Sequence, residues 1–561
     1  MIRAATASKL ARSHQPGIRD KAVSFSVQPT DRHRTTSPTL RRVSVFDRVV
    51  ARMGEPLFYP TRPPTVEVRE THVSIVFLAG ERAYKIKKPV RMPFLDYSTL
   101  ERRRKFCDQE VRVNRRFAPD IYLHVRAIVE RKGNLALANA DHPNALEYAV
   151  VMRRFDEEAT LERMVERNVV DEPLAERVGV RVADMHLGAP RAPADYWTPA
   201  YVAGRLEENF DTVRPDLGRL VDSLTFNAVR RFSRAFLGAH EAVLEDRTAA
   251  GMVRDVHGDL RAKHVVVEPS GLSMVDCVEF DDRLRCIDVA ADLAFLTMDL
   301  EHLGTRTLAH CVERAYVERT GDLKSQELLP FYACYRAWVR AKATALRIHQ
   351  LDEGAPARPE LQQRAHDLFG LSLRLAWRTR LPLVVVFCGV AGSGKSTLAA
   401  ELSRHSGLPH FSSDVVRKDL AGLAPAQRGG PELYTPEFTT GTYRELVARA
   451  TAELELSGGV VVDATFHRRG HRALLRSLDA TTLWVESTAP EEILRSRVSI
   501  RERAPEHGSD ATWPIVATQV SAWEPLDEVS ARDHHVLRTD RPIEECLDEL
   551  DRFVSAAVDG D

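Results

Sequence analysis

The sequence predicts two units, an α+β unit followed by an α/β unit on a parallel sheet, and three observations carry that expectation. Two β-branched and aromatic runs, 71–79 and 82–88, flank Gly80-Glu81, and helix-rich sequence follows them as far as Trp377. The run Leu383-Val-Val-Val-Phe-Cys has no polar alternation and feeds a helix starting within Lys395 to Ala400, as a strand buried on both faces of a parallel sheet does. Between them, the Pro- and Gly-containing stretch Asp352 to Pro359 interrupts helical sequence, and the boundary is expected near 375–381.

Composition bounds the function classes. With 561 residues, 44% hydrophobic and 28% charged, the chain can bury sizeable cores and is not globally disordered. Lys and Arg total 79 against 80 Asp and Glu, so no whole-protein positive field draws in polyanions, and nucleic acid is disfavoured as a partner. Seven scattered cysteines without a CxxC pair argue against a disulfide framework or a zinc site and read as reduced and cytoplasmic. The longest strongly apolar stretch, Leu381 to Ala391, is too short for a membrane helix, which needs about 20 residues.

Taken in order, residues 1–44 read as a disordered basic tail: Met1 to Arg42 holds nine Arg or Lys against two acids, without a sustained apolar period. A globular unit over 45–375 follows. Its hairpin is 71–79 with 82–88; a helix is expected over Leu100 to Phe117, stopped by Pro119; a strand over Leu146 to Met152; helices over Ala175 to Leu187 and Leu293 to Leu303. The second unit spans 380–558.

The strongest motif lies at the start of that second unit. Gly389-Val-Ala-Gly392-Ser393-Gly394-Lys395-Ser396-Thr397 fits GxxxxGK[ST] and sits between a buried strand and a helix, the context a phosphate-cradling loop requires. Glycines let successive N–H groups face phosphates, and the helix N-terminus adds its positive dipole end. Lys395 is expected at the β- and γ-phosphates and the Ser396 hydroxyl on Mg²⁺. Val460-Val-Val-Asp463 is a second apolar strand ending in a carboxylate that can bind Mg²⁺. In Asp414-Val-Val-Arg417, Asp414 can accept a proton from an acceptor hydroxyl, and Arg417 can hold the transferring phosphate or the acceptor.

These three motifs together resemble the small P-loop kinases, the group with polynucleotide kinase, gluconate kinase and zeta-toxin-like enzymes. The resemblance implies an arginine-bearing lid, for which Arg495, Arg497, Arg501 and Arg503 are the candidates.

Earlier in the chain, His257-Gly-Asp259 with His264 has the spacing of the catalytic loop HxDxxxxN, and Met274-Val-Asp276 follows where a metal-binding Asp belongs. A strand lysine, Lys85 or Lys87 on the same face, and an acidic helix residue, Glu110, precede them. That order resembles the protein-kinase-like fold of aminoglycoside phosphotransferases. The resemblance implies that Asp259, with His257 in its loop, forms the catalytic centre, that Asp276 binds Mg²⁺, and that Lys85, paired with Glu110, holds the ATP phosphates. Asp288 and Asp292 then fix the loop. The sequence departs from that family at His264, where asparagine is expected and where imidazole is a poor ligand for Mg²⁺. No GxGxxG covers the phosphates; Thr71 to Ser74 either does that work or continues a strand.

The tandem resembles bacterial fusions of an aminoglycoside phosphotransferase-like unit with a P-loop ATP-binding unit. It implies an ATP- and Mg²⁺-dependent phosphotransferase acting on a small hydroxyl-bearing acceptor, by the P-loop unit and by the kinase-like unit as a second site. The alternative is a regulatory ATP-binding protein with a catalytically impaired sensor half. The acid clusters Asp156-Glu-Glu158, Glu207-Glu208 and Glu279-Phe-Asp281-Asp282 are available to line a cationic acceptor site.

Overall fold

The computed structural model describes residues 44–92, 95–424, 427–503 and 512–559. Apart from Ser44, the basic tail expected over 1–44 lies outside the described residues. Ser44 accepts from the Asp47 N–H while Asp47 accepts from Ser44, a reciprocal cap that opens α1 (Val45–Met53).

A six-stranded antiparallel sheet comes next. It is built from β1 (Val66–Glu70), β2 (Ser74–Ala79), β3 (Arg82–Lys87), β4 (Tyr122–Arg131), β5 (Asn134–Asn139) and β6 (Ala145–Arg153), in the order β1-β2-β3-β6-β4-β5. Ala79 pairs with Arg82, so Gly80-Glu81 is a two-residue hairpin turn. One expectation is corrected. Residues 71–73 do not continue a strand; they turn β1 back into β2, with the Thr71 hydroxyl accepting from the Ser74 N–H at 3.0 Å. β1 escapes the sequence reading because only Val66 and Val68 interrupt its charges, as suits an edge strand. Helix α2 (Leu100–Asn114), three residues shorter than expected, lays Cys107 and Val111 against Tyr148 and Val150 of β6.

The helical layer holds α3 (Glu172–Leu187), α4 (Ser223–Ala239), α5 (Val289–His302), α6 (Arg306–Thr320), α7 (Ser325–His349) and α8 (Arg358–Arg378). Ahead of α5, the short hairpin of β7 (Val265–Glu268) and β8 (Gly271–Met274) follows the 257–264 loop. The Asp352–Pro359 interruption separates α7 from α8, which pack on each other.

Only four residues separate α8 from β9 (Leu383–Cys388), the centre of a five-stranded parallel sheet. Its other strands are β10 (His410–Ser412), β11 (Gly459–Asp463), β12 (Thr481–Thr488) and β13 (His534–Arg538), in the order β10-β11-β9-β12-β13. Helices α9 (Lys395–Ser406), α10 (Ser413–Leu420), α11 (Pro436–Ser457), α12 (Glu491–Arg503), α13 (Trp513–Ser521) and α14 (Ile543–Val554) complete this half. Every residue of β9 is buried. Val384, Val386 and Cys388 face Tyr443, Leu446 and Ala450 of α11. Leu383, Val385 and Phe387 belong to the cluster that takes in α8, α9 and α14 and continues through Phe226, Phe331 and Trp338 of the helical layer.

The two halves thus share one apolar core, and ion pairs seal its edge. Arg380, buried in the connection, donates to Asp551 at 3.0 Å, to Asp559 at 2.7 Å and to the Ser555 hydroxyl at 2.7 Å. Asp551 also accepts from Arg231 of α4 at 2.7 Å. Removing one partner of such a network leaves buried carboxylates uncompensated. Arg380→Ala is expected to lower unfolding stability by about 3–5 kcal/mol, read as a fall in the urea midpoint; an unchanged midpoint contradicts this reading.

Candidate functional site

Two clusters gather the residues singled out from the sequence, one in each half.

In the first half, Asp292 of α5 organises the 257–264 loop by accepting from the His257 N–H at 3.1 Å and the Gly258 N–H at 2.8 Å. His186 of α3 donates to the same carboxylate at 3.1 Å and accepts from Tyr316 at 3.0 Å. Gly258 has φ +83, and a Cβ there would lie 2.7 Å from the Leu284 carbonyl, so the turn requires glycine. Asp288, expected to share in holding the loop, works elsewhere: it pairs with the buried Arg247, which also binds Asp322.

His257 is corrected from a catalytic to a positioning residue. Its side chain is wholly buried, with Nε2–H donating to the Val275 carbonyl at 2.9 Å, and it presents no atom to a substrate. Asp259 remains accessible and pairs with Arg261 at 2.6 Å. Burial works against its charge, but the Arg261 guanidinium outweighs that and holds its carboxyl below the ordinary range.

Lys85 and Lys87 differ in their surroundings. Both reach Glu110, at 2.9 and 2.8 Å, but Lys87 is sealed against Glu279 at 2.6 Å and near Tyr97. Lys85 reaches Asp276 at 3.1 Å. Burial disfavours the Lys85 charge, yet Asp276 and Glu110 outweigh it and hold the ammonium above its usual range; Lys85 in turn pulls the Asp276 carboxyl well below its own. Asp276 sits at φ +63, a left-handed conformation costing about 1–3 kcal/mol in a non-glycine residue, and its N–H donates to the Tyr122 hydroxyl at 3.1 Å.

Three residues of the acid clusters are engaged by cations of the chain itself. Glu279 holds Lys87, Glu207 holds Arg230 and Arg234, and Asp282 holds Arg285.

In the second half, the parallel register carries the carboxyl ends of β9 and β11 to one edge, with Phe387 opposite Asp463. The Ser396 hydroxyl donates to Asp463 Oδ1 at 2.7 Å, and His410 Nε2–H donates to Oδ2 at 2.7 Å. Burial opposes the Asp463 charge, but His410, Lys395 and Ser396 outweigh it and keep the carboxyl below its usual range. Burial lowers the Lys395 ammonium, partly offset by Asp463. Gly394, at φ +87, caps α9, and a Cβ on it would lie 3.1 Å from the Thr539 hydroxyl. Gly389, Gly392 and Ser393 curl ahead of it, and the buried Ser393 hydroxyl has no hydrogen-bond partner. Thr397 stands exposed in the first turn of α9.

Arg417 does not face this loop with a free guanidinium. It is buried, donating to the Leu433 carbonyl at 2.6 Å and to Thr439 at 3.3 Å, over the Tyr434 ring. It therefore positions the 431–434 turn, and Lys418 is the cation beside Asp414, at 3.2 Å. Among the lid candidates, Arg497 braces the loop through the Gly392 carbonyl at 3.2 Å and Thr539 at 2.9 Å, while Arg495 pairs with Glu491 over Trp513. Arg501 is half-buried and near enough to Lys395 to depress its charge; Arg503 is exposed.

Sequence reasoning missed His410, Thr539, Tyr122 and Gln519, whose side chain accepts from the Ala391 N–H at 2.8 Å. No local pattern marks them, since each reaches its site from a distant element.

Among the described residues, no helix is long and apolar enough to cross a membrane, and no group of three or more His, Cys, Asp or Glu converges on a metal position.

A family model described as an AAA domain matches residues 384–526. The uncharacterized protein Rv2004c of Mycobacterium tuberculosis is 31% identical over 469 residues, covering 82% of this chain and 90% of that protein. Uncharacterized protein Mb2027c of Mycobacterium bovis matches with the same 31% identity over 469 residues, again 82% of this chain and 90% of its own length. Among solved structures, a gluconokinase from Sinorhizobium meliloti 1021 aligns at 20% identity, covering 32% of this chain and 96% of its own, with a TM-score of 0.26. A choline/ethanolamine kinase family protein from Mesorhizobium loti aligns at 12% identity, covering 59% of this chain and 99% of its own, with a TM-score of 0.34.

Asp292→Ala would strip partners from two buried N–H groups, each worth about 1–3 kcal/mol. The expected loss is about 2–4 kcal/mol. His186 and the loop amides overcome burial and depress the Asp292 carboxyl in the folded state. Its contribution is therefore full above the unfolded value of about 3.9 and fades as pH falls through the lower folded value. Urea titrations of wild type and variant should show a constant stability gap from neutral pH to about pH 5 that narrows below about pH 4; an undiminished gap at low pH contradicts the assignment.

Proposed function

This chain belongs to the family of the mycobacterial proteins Rv2004c and Mb2027c, and we propose for it an ATP- and Mg²⁺-dependent phosphotransferase acting on a hydroxyl of a small acceptor. We assign the kinase-like unit to residues 45–375 and the P-loop unit to 380–558, and place the protein in the cytoplasm on its seven buried, unpaired cysteines.

One observation carries the reading: Ser396 Oγ lies 2.7 Å from Asp463 Oδ1 at the N-terminus of α9, beside Lys395. Two oxygen donors side by side suit Mg²⁺, and the left-handed glycines, helix N-terminus and unpartnered Ser393 hydroxyl suit a triphosphate tail. The family model match over 384–526 supports the same half.

Bound Mg²⁺–ATP supplies the transferable phosphoryl group and neutralises its charge. Ser396 and Asp463 hold the metal, and Lys395 offsets charge on the terminal phosphates. Asp414, whose side chain is half exposed and near enough to Lys395 to act on its charge, accepts the proton of the attacking hydroxyl, while Lys418 and the buried Arg417 fix its helix. In the kinase-like half, Lys85 holds phosphates, Asp276 binds a metal and Asp259 orients a second acceptor.

His264 favours a second reading for that half, a nucleotide sensor without turnover, because imidazole stands where a second Mg²⁺ needs an oxygen donor.

ATP consumption measured against a panel of hydroxyl-bearing acceptors tests both. Wild type should form an acceptor-dependent product, and Lys395→Ala should lower its rate by about 100-fold or more. If Asp259→Ala abolishes a different product, both halves transfer; if it spares every product, the first half is a sensor. Wild type forming no acceptor-dependent product overturns the proposal.

A further inference from the structure

The catalytic loop of the kinase-like half ends on a pair of donors that magnesium does not suit. His264 closes the short turn Ala262–His264 and is buried. Its Nδ1 lies 2.7 Å from the Asp259 backbone carbonyl. A carbonyl oxygen only accepts, so Nδ1 carries the ring hydrogen and donates it. The other nitrogen, Nε2, is then the one that carries the lone pair of the neutral ring.

That lone pair faces Asp276 Oδ2 at 3.6 Å. The separation is too long for a hydrogen bond. Two acceptors turned toward each other are unfavourable unless a positive charge stands between them. Lys85 does not supply it, because its ammonium is engaged with Oδ1, the other oxygen.

Both donors are fixed by backbone. Val265 pairs with Met274, so His264 and Val275 flank the open end of the β7–β8 hairpin, with the Val275 N–H donating to the His264 carbonyl at 2.9 Å. Asp276 is pinned by its N–H on Tyr122. Its side chain is half exposed, which leaves the pair open on the side where a ligand enters.

Magnesium demands oxygen ligands in near-ideal octahedral geometry, whereas first-row transition-metal dications take an imidazole and a carboxylate together. We propose that His264 Nε2 and Asp276 Oδ2 are the two protein ligands of a site for a first-row transition-metal dication, completed by phosphate oxygens and water. The proposal rests on the kinase-like half being a nucleotide site. It replaces the second Mg²⁺ that the family resemblance implies there.

Pulsed electron paramagnetic resonance on the full chain with Mn²⁺ and a non-hydrolysable ATP analogue tests it. Wild type should show nitrogen modulation of the manganese signal whose frequency shifts when the histidines are ¹⁵N-labelled, which separates them from adenine nitrogens. The modulation should vanish in His264→Asn and persist in His410→Asn, which removes the histidine beside Asp463. The ratio of Mn²⁺- to Mg²⁺-supported nucleotide affinity should fall about tenfold or more in His264→Asn. If His264→Asn does not fold, Asp276→Asn decides: loss of the histidine signal supports the site, and retention overturns it. Nucleotide uptake without a histidine signal in wild type overturns this inference and leaves the phosphotransferase reading standing. No uptake of manganese and nucleotide by Lys395→Ala protein, whose remaining site is the kinase-like half, overturns the premise and the inference together.

Discussion

Burial of β9 on both faces is the constraint on which the rest depends. A strand with no solvent side must be covered by helices above and below, and parallel neighbours then carry their carboxyl ends to one edge. The phosphate loop leaves from that edge, and Asp463 arrives beside it because β11 is in register with β9. One covering face is not private to the second half. Leu383, Val385 and Phe387 share their apolar cluster with α8, α14 and the helical layer of the first half, so the earlier helices contribute to covering the sheet. A linker of four residues and the buried Arg380 make that sharing rigid.

Charge is handled in the two halves by the same rule. Several buried ionic groups have charged or polar partners on more than one side, because desolvating an unpaired ion is costly. Glu110 lies between Lys85 and Lys87, Arg247 between Asp288 and Asp322, and Asp463 receives Ser396 and His410. Glu279, Glu207 and Asp282, three of the acids available for a cationic acceptor site, are engaged by lysine or arginine in the same way.

The pair at His264 and Asp276 differs: a ring nitrogen and a carboxylate oxygen lie 3.6 Å apart, while Lys85 is engaged with the other oxygen of that carboxylate. A site prepared for a cation has this property before the cation arrives. The difference between the two halves is then one of donor chemistry, oxygen with oxygen at Ser396 and Asp463, nitrogen with oxygen at His264 and Asp276.

Local pattern alone determined a good deal. The GxxxxGK[ST] spacing, the apolar runs at 383–388 and 460–463, and the hairpin at Gly80-Glu81 are legible because turn chemistry and strand burial are written in adjacent residues. The order of Lys85, Glu110, Asp259 and Asp276 was legible too, since spacing along the chain survives folding. The edge strand β1 was not, because its solvent-facing charges mask its alternation. Tertiary structure decided which lysine meets Asp276, that His257 and Arg417 are buried supports, and that Asp288 serves Arg247 while Asp292 serves the loop. It also brought His410, Thr539 and Gln519 to the phosphate loop. The physical reason is the same in each case: a side chain's role depends on which atoms lie within about 3 Å of its tip, and those atoms come from parts of the chain that no local pattern connects.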